Sequence, residues 1–480
     1  MSDLLSPCGF QAPPDLQVLL PRDPLYGTRE SSYWAVNARL SPACIVQPKS
    51  TAQVSSLLKE LVATGRQFAV RAGGHSPVPG ANDIAGDGVT VDLGLLNSVA
   101  YDAGSETVRF GAGCRWRDVY GELGRHERTV PGGRGGDVGV AGLLLGGGSS
   151  WQTAKYGWAC DNVISYEIVL ADGRTVTADK DTHVDLFRAL KGGANNFGVV
   201  TSFAMRTHPS GRIWGGISAS PASATDQTIR TVWNFTEGLT QDESRQDSYM
   251  LAVFGYFPAF GANVVNIATF QADGGPRGPG WDDWRALPKI MDTTGETTVA
   301  ELAEQITLPP DYHNAWFTLT LRNDERLLKK ATDVHERLVA DLQAHVPDGD
   351  FITQCIFQPL PSVVAQRTAA AGGNVMGTER IAENAVLFSY SAMVRTAELA
   401  RWVYPRLRRG LEEIRGFAAA AEAGGGLMDW LYMNYADSSQ DVIGSYGVEN
   451  VEELRRVAAR YDPGQVFQKL CPGGWKIPGI

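Results

Sequence analysis

A histidine that follows two glycines, in the segment Arg71-Ala72-Gly73-Gly74-His75-Ser76, is the first candidate for chemistry in this sequence. Imidazole nitrogen exchanges protons near neutral pH and is nucleophilic enough to bond covalently to an electrophilic group. The two glycines allow the backbone to lie against a ligand, and Arg71 adds a positive charge nearby. We therefore predict that His75 contacts the reactive end of a bound cofactor.

A glycine-rich run lies further along the chain, where nine of the seventeen residues from Gly132 to Gly148 are glycine. Glycine inside a helix or strand costs about 0.5–1 kcal/mol relative to alanine, so this density predicts a loop. The run contains neither a Walker A sequence nor a Rossmann fingerprint leading into a long helix. Its backbone N–H groups are predicted to hold the phosphates of a large, flat cofactor. The alternative interpretation is a flexible loop or a cluster of tight turns.

The composition narrows the class of protein. A chain of 480 residues with 43% hydrophobic and 20% charged residues predicts a soluble globular protein of two domains. The net charge of −10 disfavours nucleic acid and anionic membranes as partners. No apolar run reaches the roughly 20 residues of a membrane span, and no signal peptide is visible, so the compartment stays open between cytoplasmic and secreted. Six cysteines without a CxxC pair predict neither a metal site nor a dense disulfide framework.

The elements that must position these residues alternate between helix and strand from about Ser41. A helix that Thr51 caps and that ends at Gly65 is predicted, as is a short helix over Asp185–Leu190. They lie among predicted strands at Gln67–Arg71, Val89–Leu93, Thr107–Ala112, Ile164–Leu170 and Gly198–Arg206. After Pro209, the pattern predicts an antiparallel sheet covered by long helices. Its helices are predicted at Thr225–Leu239, Lys329–His345 and Ala397–Ile414, its strands include Asn314–Arg322 and Ala385–Val394, and a last helix covers Val451–Arg460.

Four ordered motifs, RAGGHS, VPGGRGGDVGVAGLLLGGG, KYGWACDN and LFRALKGGANNFGVV, together resemble the vanillyl-alcohol-oxidase superfamily of FAD proteins. The sequence is most similar to the berberine-bridge-enzyme-like oxidases, from about Ser41 to His208 and again over Tyr432–Lys476. The resemblance implies an α+β, two-domain fold of the PCMH type. It implies an FAD-binding domain over 1–210 with its core at about 41–208, a substrate-binding domain over 211–430, and a segment 431–480 that returns to the first domain.

The resemblance also implies FAD as the cofactor, with a covalent bond from His75 to the 8α-methyl group of the flavin. By matched position, the residues around the flavin and its phosphates would be Arg71, Ala72, Gly73, Gly74, His75, Ser76, Pro131, Gly132, Gly133, Val138, Gly139, Gly142, Leu143, Gly146, Gly147, Gly148, Tyr156, Gly157, Asp161, Asn162, Gly198, Val199, Val200, Asn434 and Tyr435.

This sequence departs from many relatives at two positions. Gly135 stands where those relatives carry a cysteine that forms a second flavin bond, so a single covalent link is expected. Ser149 stands where several relatives have an aromatic residue, which changes the lining of the pocket.

Val138 occupies a position that influences oxygen access in the family, where valine resembles the oxidases. The alternative is an ordinary packing valine.

Tyr435 and Tyr432 are the candidates for the catalytic base, because a base must lie within hydrogen-bond reach of the substrate proton. They flank Asn434 on a predicted strand, which places Tyr432 and Asn434 on one face and Tyr435 on the other. The alternative for each tyrosine is a packed aromatic residue whose hydroxyl is satisfied.

The resemblance implies an FAD-dependent oxidase that takes a hydride from a small organic substrate, a secondary metabolite or a carbohydrate, and reduces molecular oxygen to hydrogen peroxide. Two alternatives stay open. One is a flavin-dependent oxidative cyclase of secondary metabolism, and the other is a flavin-binding protein without turnover.

Overall fold

Different sheets are built before and after residue 210 in the computed structural model, which describes residues 8–13, 15–276, 279–421 and 425–480. The strands of the first part are β1 (Gln17–Leu19), β2 (Cys44–Gln47), β3 (Phe68–Arg71), β4 (Val89–Asp92), β5 (Val99–Asp102), β6 (Thr107–Gly111), β7 (Arg128–Thr129), β8 (Val163–Val169), β9 (Thr175–Asp179), β10 (Val199–Arg206) and β11 (His208–Pro209). Its helices are α1 (Pro24–Ser31), α2 (Thr51–Ala63), α3 (Trp116–Gly124), α4 (Val140–Leu145), α5 (Thr153–Tyr156) and α6 (Val184–Leu190).

Two main sheets form the first part. The first has the order β1-β2-β4-β3, with β4 parallel to both β2 and β3, and the second has the antiparallel order β5-β6-β10-β8-β9. Strands β2 and β4 are buried along their whole length, as parallel strands covered on both faces must be. Strand β3 is an edge strand of the first sheet, but Arg71 at its end, which leads to His75, is fully buried.

A nine-stranded sheet dominates the second part, with the order β15-β12-β14-β13-β18-β19-β17-β20 and with β16 paired to β12. The strands are β12 (Ile213–Pro221), β13 (Ser248–Phe257), β14 (Ala262–Gln271), β15 (Met291–Asp292), β16 (Gly295–Thr297), β17 (His313–Arg322), β18 (Phe351–Leu360), β19 (Ala385–Val394) and β20 (Leu427–Met428). The helices are α7 (Thr225–Gln241), α8 (Asp282–Arg285), α9 (Val299–Gln305), α10 (Glu325–His345), α11 (Val363–Ala370) and α12 (Ala397–Ala419), and the C-terminal segment adds α13 (Val448–Tyr461) and α14 (Val466–Lys469).

The two faces of this sheet pack against different cores. On β13, Met250, Ala252 and Phe254 join the core that includes α7, α10 and α12. The alternate residues Tyr249 and Leu251 join the core of the first part. Because successive side chains of a strand point to opposite faces, one strand supplies both the helix-covered core and the interface with the first part.

The predicted elements are largely confirmed, with differences at local level. Helix α2 begins after Ser50, whose side chain accepts a hydrogen bond from the Gln53 N–H, so Ser50 is the N-cap and not Thr51. The glycine run, predicted as a loop, contains the short helix α4. The predicted strand around Asn434 is wrong, because Met433–Tyr435 form one turn of 3-10 helix. A disulfide joins Cys8 to Cys44, the first residue of β2, and both cysteines are buried.

The architecture is α+β, with helices and antiparallel sheets in the PCMH-type arrangement. None of the helices in the described ranges is long and apolar enough to cross a bilayer. Within the same residues, no group of three His, Cys, Asp or Glu side chains is arranged to hold a metal ion.

Candidate active site

The His75 side chain is held by contacts on two sides. Its ring stacks on Trp34, with centroids 4.5 Å apart and planes 9° from parallel. Its Nε2 atom lies 3.5 Å from Asp137 Oδ2, and a quarter of the side chain, 25%, remains exposed. Burial on its own raises the pKa of Asp137, but the neighbouring His75 and Arg115 outweigh burial and hold this pKa below its usual range. The imidazole is therefore fixed in orientation while part of it stays accessible.

The Arg71 side chain anchors the start of the His75 segment to α1 and the residues after it. Its guanidinium is fully buried, donates hydrogen bonds to the Arg29 carbonyl (2.6 Å) and Ser32 Oγ (2.7 Å), and lies 3.7 Å from the centroid of the Tyr33 ring. These contacts tie the end of β3 to α1. The side chain of Arg71 thus positions the backbone before His75, and a direct contact with a cofactor stays a prediction.

The His75 segment and the glycine run touch through backbone alone. A Cβ on Gly73 would lie 2.5 Å from the Cα of Gly139, and a Cβ on Gly139 would lie 2.6 Å from the Cα of Gly73. Arg115 fastens the same two segments, because it donates to the Gly73 carbonyl at 2.8 Å and also to the Asp137 carbonyl. Glycine is required at both positions because no side chain fits between these two backbone segments.

Helix α4 presents a bare surface beside this contact. Gly142 is exposed, and no atom lies within 4 Å of the position that a Cβ there would occupy, although its neighbour Ala141 is buried. At the end of the helix, Gly147 and Gly148 have φ angles of +104° and +86°, which favour glycine. Among the six residues of α4 only Gly142 lacks a side chain, so the bare backbone there is a single patch, against which a flat aromatic group fits. The residues present therefore fit the isoalloxazine of FAD.

The remaining predicted cofactor residues fall into two groups. Pro131, Gly132 and Gly133 are buried, and the last two face the Trp116 indole, whereas Ala72, Ser76, Val138 and Leu143 are partly exposed around the His75 segment and α4. The second group follows along the chain: Tyr156 ends α5 and Gly157 comes after it, Asp161 and Asn162 lie in a 3-10 turn before β8, and Gly198 directly precedes Val199 and Val200 at the start of β10.

Asp161 illustrates the second group. Its carboxylate accepts hydrogen bonds from the Trp158 N–H, Thr368 Oγ1 and Asn374 Nδ2, at 3.0, 2.8 and 3.0 Å. Burial raises its pKa. These bonds link the KYGWACDN motif to the second part of the chain, so the structure gives Asp161 a clear positioning role.

The two candidate bases differ in what their hydroxyl groups do. Tyr432 is 1% exposed, and its hydroxyl accepts hydrogen bonds from the Ser149 N–H (2.6 Å) and from Asn434 Nδ2 (3.0 Å). Burial raises its pKa well above the usual value. Asn434 also donates to the Leu143 carbonyl at 3.1 Å, which ties this turn to α4. Tyr432 is therefore a packed tyrosine with a satisfied hydroxyl.

Tyr435 is half-buried and bonds to side chains of the interface. Its hydroxyl accepts a hydrogen bond from Arg134 Nη2 and donates to Gln358 Oε1 at 3.3 Å. Its ring meets that of Tyr432 edge-on, with centroids 4.9 Å apart. The 3-10 turn thus brings the two tyrosines together, whereas a strand would have separated them.

Residues outside the predicted set complete the site. Arg134 Nη1 donates to the Tyr249 hydroxyl at 2.9 Å, and Trp316 lies between Trp34 and Tyr435, with centroid distances of 6.1 and 6.0 Å. Arg134 and Asp137 are the only charged residues of the glycine run, a signal that sequence reasoning could have used. Trp34, Tyr249 and Gln358 belong to elements far away in the chain, and no local pattern marks them.

Comparison with known proteins identifies the family. Residues 42–179 match the model of the FAD binding domain family. Over 462 residues, the chain is 37% identical to the FAD-dependent monooxygenase drtC of Aspergillus calidoustus, covering 95% of this chain and 86% of that protein. The chain belongs to the family of these FAD-dependent oxidoreductases.

A second relative supports this assignment, and a solved structure shows the same fold. The bifunctional solanapyrone synthase of Alternaria solani is 31% identical over 96% of this chain and 86% of its own length. The fold is similar to that of 6-hydroxy-D-nicotine oxidase from Arthrobacter nicotinovorans, with a TM-score of 0.75, 21% identity and complete coverage of both chains (100% each). As a member of this family, the chain is an FAD-dependent oxidoreductase.

Proposed function

We propose that the enzyme is an oxidase that removes a hydride from a small organic molecule, a secondary metabolite or a carbohydrate, and gives hydrogen peroxide from molecular oxygen. Bound FAD supplies the hydride acceptor and the route for electrons to oxygen. The residues that would hold it are the His75 segment, the bare surface of α4, and Asn434. Tyr435 carries the proposal, because its half-buried hydroxyl lies at the interface of the two parts, between a cation and an amide.

In this proposal His75 bonds covalently to the flavin, and Asp137 prepares it. With its proton on Nε2, facing Asp137 Oδ2 at 3.5 Å, the imidazole leaves the Nδ1 lone pair free for bond formation. Nδ1 has no hydrogen-bond partner among the residues that the structure describes. Stacking on Trp34 fixes the ring plane. Gly135, which lacks a thiol, limits the enzyme to this single covalent link.

Tyr435 acts as the base in this proposal and takes the proton from the substrate hydroxyl. The Arg134 guanidinium donates a hydrogen bond to the Tyr435 oxygen and so places a positive charge beside it. Gln358 fixes the direction of the hydroxyl. Tyr432 does not take this role, because its oxygen is occupied by Ser149 and Asn434 in a fully buried position.

A monooxygenase reaction is the second candidate, because the similar protein of Aspergillus calidoustus carries that name. The two reactions differ in the fate of oxygen. An oxidase releases one hydrogen peroxide for each substrate oxidised and incorporates no oxygen atom. Val138, partly exposed beside the Gly73–Gly139 contact, favours access of oxygen to the cofactor and supports the oxidase.

The covalent link is tested by the absorbance of the polypeptide after denaturation and precipitation. We expect the wild-type chain to keep its flavin and the His75→Ala variant to release it, whereas Asp137→Asn should incorporate flavin more slowly. Release of flavin by the wild-type chain would contradict the link.

The reaction is tested with a panel of alcohols, aminated compounds and sugars under ¹⁸O-labelled oxygen. Stoichiometric peroxide without label in the product supports the oxidase, and label in the product supports the monooxygenase. Tyr435→Phe should lower turnover by about a hundredfold or more, and Tyr432→Phe by far less. The reverse order would remove Tyr435 from the role of base.

A further inference from the structure

Strand β17 pairs with β19 along one side, and its other side is an edge of the sheet over most of its length. In an antiparallel strand, the N–H and C=O groups of alternate residues point to the same side. The Tyr312 carbonyl accepts a hydrogen bond from the Val36 N–H at 2.9 Å, and the Arg322 N–H donates to the Gly426 carbonyl at 2.8 Å. The even-numbered residues of β17 therefore direct their backbone groups to this edge.

Two side-chain amides take the place of a neighbouring strand along the edge. The Asn37 amide accepts from the Asn314 N–H at 2.8 Å and donates to the Asn314 carbonyl at 3.2 Å. The Gln440 amide does the same for Thr318, accepting from its N–H at 3.1 Å and donating to its carbonyl at 2.7 Å. Each carboxamide thus presents a donor and an acceptor together, as one residue of an antiparallel partner would.

Trp316 lies midway between these two residues and is the exception. By the same alternation its N–H and C=O point to the edge, and no group in the described part of the chain bonds to either of them. Beside it, Asn314 is only 7% exposed, and its Oδ1 atom and the Trp316 Nε1 atom are buried without a partner among those residues. Because buried polar atoms are nearly always hydrogen-bonded, this position indicates a polar ligand.

A cleft of about 460 Å³ opens at Trp316. It lies between α12, the turn at Asp437, and residues 77–79, which follow the His75 segment directly. The Trp316 ring is also 6.1 Å from that of Trp34, which stacks on the His75 ring. The cleft therefore leads from the edge of β17 to the region where the flavin is proposed to bind.

The charges that line the cleft balance one another. Arg401 is an exposed cation on α12, and the buried Asp437 supplies a carboxylate that accepts a hydrogen bond from the Tyr404 hydroxyl at 2.7 Å. His313 is uncharged at neutral pH, because burial, followed by the charges of Arg39 and Arg401, lowers its pKa. A neutral polar group suits this lining better than an ion does.

We propose that the cleft binds a lactam or another cis-amide group of the substrate, whose C=O accepts from the Trp316 N–H and whose N–H donates to the Trp316 carbonyl. The inference rests on the proposed function and names a substrate class for it. Asn37 and Gln440 pair with residues about 7 Å away on either side, so one such group fits between them and a longer strand does not. A carboxylate or an ester has no N–H for the carbonyl, and a trans amide directs its donor and its acceptor apart.

Three bicyclic probes of similar shape test the inference in the flavin-loaded enzyme. 2-Quinolinone carries the cis N–H and C=O pair, 1-methyl-2-quinolinone has a methyl group in place of the hydrogen, and coumarin has a ring oxygen in place of the N–H. Titration calorimetry measures the three affinities. 2-Quinolinone should bind about tenfold or more tighter than either control, because only this probe satisfies both backbone groups of Trp316.

The backbone of Trp316 can be observed on its own, because Ala315 and Trp316 form the only alanine–tryptophan pair in the sequence. Labelling the alanine carbonyls with ¹³C and the tryptophans with ¹⁵N therefore selects a single backbone N–H resonance in the NMR spectrum. Binding of 2-quinolinone should shift this proton resonance downfield, since the N–H gains a hydrogen bond.

Two substitutions on α12 locate the bound probe. Ala400 is partly buried and lines the cleft, so Ala400→Trp should fill it and weaken 2-quinolinone binding about tenfold or more. Ala397→Trp, on the exposed first turn of the same helix, is the matched control and should behave as wild type. If Ala400→Trp does not fold, the Trp316 resonance of the wild-type enzyme decides the question.

The outcomes separate this inference from the proposed function. Equal affinity for the three probes, no binding of 2-quinolinone, an unmoved Trp316 resonance, or full binding by a folded Ala400→Trp variant overturns the site. Binding should also change the flavin absorbance, because the cleft leads to His75. Binding without that change assigns the group to a separate ligand and overturns its place in the substrate. A colourless protein that takes up no FAD overturns the proposed function itself, while the Trp316 resonance still reports on the cleft.

Discussion

Two regions build the same site in opposite ways. One is the contact between Gly73 and Gly139, and the other is the pair of strands β13 and β18. At the glycine contact, two backbones lie so close that a single Cβ would overlap with main-chain atoms at 2.5–2.6 Å. On β18, every residue from Phe351 to Leu360 is buried, and function depends on single side chains such as Gln358. The first region is determined by what is absent from the side-chain positions, and the second by which side chain is present.

This difference explains why the sequence predicts the function of the first region better than that of the second. A cluster of glycines in a sequence indicates a functional backbone, because ordering glycine costs conformational entropy. Glycine is therefore kept where the backbone approaches another group closely or takes unusual angles. A buried strand position is filled by any residue of suitable volume, and a functional glutamine there looks like an ordinary substitution. Changes that add atoms should therefore damage the first region, and changes that remove atoms should damage the second.

The largest effect is expected from Gly139→Ala. The new Cβ would overlap with the backbone of Gly73, which has no flexible group that could move away, so unfolding free energy should fall by about 5 kcal/mol or more. Gly142→Ala is the matched control in the same run, because open space surrounds that position and alanine favours helix α4 by about 1 kcal/mol. Urea unfolding of the flavin-free chains measures both.

The flavin content of the same two variants tests whether the glycines serve the fold or the cofactor. If the bare surface of α4 holds the cofactor, Gly142→Ala should keep or gain stability without flavin and yet bind FAD less tightly. Equal tolerance at Gly139 and Gly142 would show that the backbone contact does not constrain the fold.

In the sheet, Phe388→Ala removes a ring that is 0% exposed on β19 and packs against Phe357 and Tyr390, with centroids 6.0 and 6.1 Å away. The cavity left behind should lower the unfolding free energy by roughly 3–5 kcal/mol. Phe388→Leu keeps most of the volume and should lose about half as much or less. A loss below about 1 kcal/mol in the alanine variant would contradict tight packing under α10 and α12.

A smaller effect is expected where the two regions meet, at the tyrosines. Tyr432→Phe leaves the buried Ser149 N–H without its partner at 2.6 Å and should cost about 1–2 kcal/mol of stability. Tyr435→Phe removes a hydroxyl that is half-buried and should cost less than about 1 kcal/mol. Thermal unfolding at matched flavin content checks the order. Equal losses would mean that the two hydroxyl environments do not differ.

The last effect depends on pH and concerns Glu30 on α1, next to Arg29, whose carbonyl accepts a hydrogen bond from Arg71. Burial, followed by the negative charge of Asp83, raises the pKa of Glu30 to about 7. Because the folded state holds this proton more tightly than the unfolded state, the stabilising contribution is present at acidic pH and is lost as the pH rises through about 7.

Glu30→Gln should therefore lose less stability than wild type between pH 5 and pH 8, by about 1–2 kcal/mol. Urea unfolding at the two pH values measures the difference, with Glu398→Gln on the exposed first turn of α12 as a control. Parallel pH dependence of wild type and Glu30→Gln would contradict the raised pKa.

Periodicity predicted most of the helices and strands to within a few residues, because the faces of α2 or α12 repeat with the period of their element. Local geometry was harder to predict. The glycines of the run concealed α4, whose six residues include only one glycine, and the alternation inferred for Tyr432, Asn434 and Tyr435 was replaced by a 3-10 turn.

The sequence by itself determined the glycine run, the segment that ends in His75 and the order of elements, because each depends on residues that are neighbours in the chain. Only the tertiary structure decided which tyrosine has an occupied hydroxyl and which cation stands beside the other. Arg134 and Tyr435 are 301 positions apart, and Tyr249 and Gln358 are 109 apart. A hydrogen bond between such residues depends on how two sheets pack, and local sequence does not encode that packing.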